Sequence, residues 1–186
     1  PYLRRTRASQ YASLLVAALL TLAAASNLID VYGSAASWAL AALPSTIIGS
    51  LVALAGTVPA LRLWWQMLFM AVAQLVVGPV LFLNDTTIAH IVPTLRTLTQ
   101  GWMNMLGSFK FILSVEPPTG TADGCLLAVW TICLWFALLT GIFAVTEDGR
   151  FTMIAIIPVT ANLAICALLG SSSGYYRMFV GTIMAL

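Results

Sequence analysis

The sequence predicts an all-α integral membrane protein: a polytopic helical bundle with about five complete spans, a truncated sixth and one outer interfacial amphipathic helix. Three observations predict it. Hydrophobic residues make up 61% of the chain and charged residues 8%, against roughly 45–50% and 25% in soluble domains. Apolar runs recur at the length of roughly 20 residues that a helix needs to cross a hydrocarbon core of about 30 Å. Short turns separate these runs, except for one long polar interval, Asn84 to Gly124. A soluble core in a chain of this size has no room for so much apolar side chain, so lipid is the solvent that covers it.

The first span is expected from about Tyr11 to Val31, rich in Leu and Ala. Asn27 and Asp30, three apart, share one face near its far end. An acid at the interface is tolerated, so a snorkelling end residue explains Asp30 better than an ion or proton site does. After Gly33-Ser34 a second span runs from about Ser37 to Val58. Ser45, Gly49 and Ala53 recur there at helical spacing, a stripe of small side chains that lets another helix approach closely. Pro44 and Gly56 loosen this helix, which neighbouring helices can compensate. Arg62, Trp64 and Trp65 read as an interfacial anchor opening a third span that ends near Leu83. Gln66 lies near the interface and Gln74 nearer the middle, where a lone amide bonds to a neighbouring helix. Gly78-Pro79 are expected to bend the last turn.

A fourth span runs from Cys125 to Val145 and holds Trp130, Thr131, Trp135 and Thr140. The turn Glu147-Asp148-Gly149-Arg150 leads to a fifth, Phe151 to Leu169, with Pro158, Thr160 and Asn162 around its centre. Gly170 to Gly174 form a flexible turn, and Tyr175 opens the sixth span, cut short at Leu186. Residues 1–186 therefore read as one transmembrane helical domain. The start at Pro1 and the end inside an apolar run suggest a portion of a longer polypeptide. The arginines before the first span are followed by no clean cleavage site. Arg4, Arg5, Arg7, Arg62 and Arg150 on one side outnumber Arg96, Lys110 and Arg177 on the other. That imbalance puts the N-terminus in the cytoplasm and 84–124 outside a bacterial plasma membrane.

Within the polar interval, Pro93 suits a first helical turn, and Thr94 to Gly107 reads as a helix. Leu95, Leu98, Trp102, Met105 and Leu106 fall on one face, with Arg96, Thr97, Thr99, Gln100 and Asn104 largely off it. It is too short to cross, so it is expected to lie in the outer interface with Trp102 on its buried side. Pro117-Pro118 force extended backbone before the turn at Thr119-Gly120. Trp102, Pro117, Pro118 and Gly120 are the candidate interaction residues of this outer surface. A re-entrant segment, shielded from lipid by protein or water, is the competing geometry.

The chain offers little for catalysis. His90 is the only imidazole, so no histidine cluster can bind a metal. Cys125, Cys133 and Cys166 fall in apolar runs without metal-ligand spacing and read as small buried hydrophobes. A Cys125/His90 pair oriented by Asp123 lacks any sign of an activated thiol. Neither a catalytic, a cofactor-binding nor a metal site is expected. A net charge of +2 without a basic face gives no surface for nucleic acid. The expected partners are the bilayer and other membrane helices or subunits.

The run HIVPTLRTLTQGWMNMLGSFKFILSVEPPTGTADGCLLAVWTICLWFALLTG resembles the corresponding part of the membrane-embedded N-terminal region of actinobacterial transglutaminase-like proteins. Gly101-Trp102, Leu113-Ser114 and Pro117-Pro118-Thr119-Gly120 carry the likeness. A span follows at once, then a charged turn and another span containing Pro158. The resemblance covers about residues 90 to 170. It implies a multi-span anchor followed by an extracytoplasmic transglutaminase/protease-like domain with a Cys, His and Asp triad. None of that triad falls on these residues, so the catalytic domain is expected beyond Leu186. Three functions are open to such a chain. The first is a membrane-anchoring scaffold of a larger envelope protein. The second is a small transporter or channel subunit for a neutral or apolar substrate, using Pro44-Ser45-Thr46 or Pro158-Thr160-Asn162. The third, an intramembrane enzyme, has no paired acid, base or nucleophile to work with.

Overall fold

A computed structural model describes residues 6–29, 34–58, 63–82, 99, 102, 103, 106, 107, 125–146 and 153–169. Every element among them is helical. Helix α1, Arg7–Ala25, starts ahead of the expected Tyr11 because Thr6 caps it, its Oγ1 accepting the Ser9 N–H at 3.3 Å. A turn of 3-10 helix, Ser26–Leu28, extends α1. Helix α2, Ala35–Ala55, is capped in the same way by Ser34, which accepts from the Ser37 N–H at 3.4 Å. It runs unbroken through Pro44. The Ser45 hydroxyl donates to Ala41 O at 2.6 Å and reaches Ala42 O at 3.1 Å, giving a side-chain donor to the turn that proline weakens.

Helix α3 runs Leu63–Val72, widens into a π turn over Ala73–Val77, and ends as Gly78–Phe82. The Gly78 N–H donates to Ala73 O, five residues back. A proline ring crowds the carbonyl four residues before it, which for Pro79 is that of Leu75, inside the wider turn. The distortion thus lies upstream of Gly78-Pro79, and the helix continues past them to Phe82. Helix α4, Cys125–Ala144, is regular. A 3-10 turn, Met153–Ala155, precedes α5, Ile156–Leu169. This corrects the expectation for Pro158. It sits in the first turn of α5, where its missing N–H costs nothing, and not in the middle of an unwound span.

Contacts between named residues set the directions. Gly49 meets Leu134, Ala137 and Leu138, while Ala53 meets Gly141, so α2 and α4 run parallel. The Gln10 side chain of α1 donates to Val145 O just past α4 at 2.9 Å, and Leu14 packs on Gly141, so α1 is antiparallel to α4. Gln74 reaches Thr131 and Phe82 stacks on Trp130, which makes α3 antiparallel to α4 as well. Asn162 sits by Thr21, and Cys166 and Leu169 cluster with Ala25 and Leu28, so α5 runs with α1. Direction alternates from each helix to the next.

Helix α4 is the centre, with 61% of its span buried against 39, 39 and 33% for α1, α2 and α3. These four are long and apolar enough to cross a membrane; the fifth, Met153–Leu169, is shorter. Small residues line many of the helix contacts, and large apolar ones also lie on the outside. Ala17, Ala24, Ala25, Ala41, Ala42, Thr21, Ser45 and Gly49 are buried, while Leu15, Leu40, Ile47, Trp64, Phe69 and Leu168 face outward. Small residues at the helix contacts allow close approach, and Trp130, Leu127, Leu134 and Leu138 fill the interior around them.

Candidate functional site

The interior of the bundle is a polar seam built around α4, and it is the candidate site. Gln74 leaves the π turn of α3 and donates from Nε2 to Thr131 Oγ1 at 2.8 Å; the Thr131 hydroxyl in turn donates to Leu127 O at 2.8 Å. Gln66, two turns earlier on α3, donates to Val52 O of α2 at 3.2 Å. At the α1–α4 crossing, Thr21 and Thr140 hydroxyls lie 3.3 Å apart. Each also donates to its own helix, Thr21 to Ala17 O at 2.9 Å and Thr140 to Phe136 O at 2.7 Å. Asn162 fastens α5: its Nδ2 donates to Thr21 O at 3.4 Å, and its Oδ1 accepts from Cys166 Sγ at 3.3 Å. Trp38 at the start of α2 donates to Ala25 O at 2.9 Å and closes the α1–α2 hairpin.

Some buried groups of the seam are left over. Asn27 gives Nδ2 to Ala24 O at 2.8 Å, while its Oδ1 has no partner. The Cys133 thiol faces Ser45 and Thr46, although Thr46 Oγ1 makes no hydrogen bond of good geometry. Ser50 Oγ and Trp130 Nε1 are unpartnered too. Trp130 is fully buried, with its ring centroid 5.6 Å from that of Phe82 at a tilt of 56°. Its indole edge fills the place a side chain would take at Gly78, with Nε1 2.9 Å from that Cβ position.

The side chains gathered here are hydroxyls, amides, thiols and two indoles, which position and pack. Arg7 is the only charged residue among those described, and no three of His, Cys, Asp and Glu among them come together. Ser45, Gly49 and Ala53 all lie buried on the α4-facing side of α2, so their partner helix belongs to the same chain. Thr160 is exposed and returns its hydroxyl to Ile157 O at 2.9 Å, apart from buried Asn162. Within the polar interval, Thr99, Trp102, Met103, Leu106 and Gly107 are helical, and Trp102 is 39% exposed with Met103 and Leu106 more so. No part of the described protein covers that apolar face. Pro117, Pro118, Gly120, His90, Asp123 and Asp30, like the proposed sixth span, lie outside the described residues.

Sequence reasoning did not find Trp130 as the largest buried side chain or Thr21 as a junction. The one signal for Trp130 was Gly78, a glycine inside an apolar run. The chain matches no protein family, no curated protein and no solved structure with which it was compared.

One consequence concerns α5. Asn162→Leu is expected to weaken its docking by about 0.6–1.7 kcal/mol, the range measured for interhelical polar contacts in lipid. Hydrogen exchange should accelerate in 156–169 and stay unchanged in α2 and α4. Equal acceleration everywhere would show that Asn162 holds the whole bundle and not α5.

Proposed function

We propose that this region is a membrane-anchoring scaffold of a larger bacterial envelope protein, with an enzymatic domain lying beyond residue 186. In this reading five helices cross the plasma membrane from a cytoplasmic N-terminus, and 84–124 faces outside with Trp102, Pro117, Pro118 and Gly120 on the outer surface. The observation that carries it is the contact of α2 on α4. Gly49 lies so near the α4 backbone that a Cβ would sit 2.5 Å from Leu134 O, a dense packing suited to a static support. The alternating helix directions support the topology. They gather the ends flanked in sequence by Arg4, Arg5, Arg7, Arg62 and Arg150 on one side, as the positive-inside rule requires. Helix α5 with its 3-10 turn reaches roughly 27 Å, close to a hydrocarbon core of about 30 Å. The likeness of 90–170 to the membrane region of transglutaminase-like proteins supplies the kind of domain to be held.

Reading the frame beyond codon 186 tests the anchor directly. A soluble segment there with spaced Cys, His and Asp is the expected result, and a frame that closes soon after the sixth apolar run overturns it. For the topology, Thr121→Cys in a chain lacking Cys125, Cys133 and Cys166 should react with an impermeant thiol reagent in intact cells. Labelling only after lysis reverses the orientation. A second reading, a transporter or channel subunit for a neutral or apolar substrate, is favoured by the π turn beside Gly78-Pro79, since interrupted helices line many substrate paths.

A further inference from the structure

We propose that the π turn Ala73–Val77 is a two-register hinge, latched by Gln74 on Thr131, that turns the end of α3, Gly78–Phe82, against α4. A π turn holds one residue more than the α-helical turn it replaces. Moving that extra residue towards the end of the helix turns the residues it passes by about 100°, one residue's rotation. Here the part beyond is short, Gly78–Phe82, and it leads straight into the polar interval that begins at Asn84.

Four features converge on this turn. Pro79 supplies no N–H in either register, so neither ladder is fully closed and the difference between them narrows. Gly78 presents no side chain to α4, which leaves the Trp130 edge seated directly against the backbone. The outer half of α3 is fixed to α4 through the ring contact of Phe82 with Trp130, which a rotation would break without breaking any backbone bond of α4. The Trp130 indole N–H is buried with no acceptor, so the register seen in the structure leaves one polar group on the α4 side unmatched. A buried unmatched donor in a folded protein calls for an explanation, and a second arrangement that pairs it is one. Against these stands the Gln74 latch, which engages a hydroxyl whose own proton is already placed on Leu127 O. The hinge is independent of any domain beyond residue 186.

The test uses spin labels at Leu43→Cys and Leu81→Cys, both exposed, in the full chain lacking native cysteines and held in lipid nanodiscs. Two distance populations are expected. Gln74→Leu and Thr131→Val should each shift their ratio in the same direction. Deletion of Val76, which restores a plain α-helix with both halves in register, should leave a single population. A single distribution that neither Gln74→Leu nor Thr131→Val alters overturns the hinge. So does a deletion variant that keeps both populations. The two point variants decide the matter even where the deletion fails to fold.

Discussion

Gly49→Ala is expected to cost the bundle about 2–3 kcal/mol, the upper range for overpacking a close contact. The added Cβ would lie 2.5 Å from Leu134 O, 2.9 Å from Ala137 Cβ and 3.1 Å from Leu138 N. Two of those three atoms are α4 backbone and cannot rotate away, so α2 must move off as a unit. Leu51→Ala, on the outward side of the same helix, is the control and should stay within about 0.5 kcal/mol. Unfolding measured by steric trapping in lipid separates the two. If Gly49→Ala unfolds with the same free energy as Leu51→Ala, the α2–α4 contact is not the one that holds the bundle.

Trp130 should give the second large effect, and its sign depends on the replacement. Trp130→Ala empties the middle of the α3–α4 contact and is expected to cost about 3–5 kcal/mol. Trp130→Phe removes an N–H that has no acceptor while keeping a ring against Phe82. An unmatched buried donor is itself a cost of about 1–3 kcal/mol, so the phenylalanine variant should be near neutral or more stable than the parent. The same unfolding assay reads both. A Trp130→Phe variant as damaged as Trp130→Ala would mean that the indole nitrogen makes a bond in the membrane.

These two residues show where the sequence was readable. Gly49 stood out with Ser45 and Ala53 because small residues at helical spacing have few other reasons to line up. The helices themselves were legible because their apolar runs have the length and composition of a membrane-crossing helix. Gln74 could be read as a tie to another helix, since an amide in hydrocarbon must bond somewhere. Which helix receives Gly49 or Gln74 was not legible. CLLAVWTICLWFALLTGIFA is apolar around its whole circumference, so no face announces that α4 is the hub. The π turn left no mark either, because Ala73–Val77 would serve equally in a plain α-helix, and only its neighbour Pro79 bears on the choice. Pro158 misled for a related reason: its meaning depends on where the 3-10 turn yields to α-helix, and hydropathy does not record that boundary.

The central position of α4 sets an order of events during synthesis. Helices α1 to α3 leave the ribosome first, carrying Thr21, Gln66 and Gln74, yet the partners of Thr21 and Gln74 are on α4. At roughly 5–20 residues per second, the stretch 83–144 takes on the order of 3–12 seconds to appear. Through that interval the three newborn helices must hold the Gln74 amide and the Thr21 hydroxyl without their α4 partners. The nascent chain is therefore expected to linger beside the insertion machinery until α4 arrives, and to be most open to quality control just before it does.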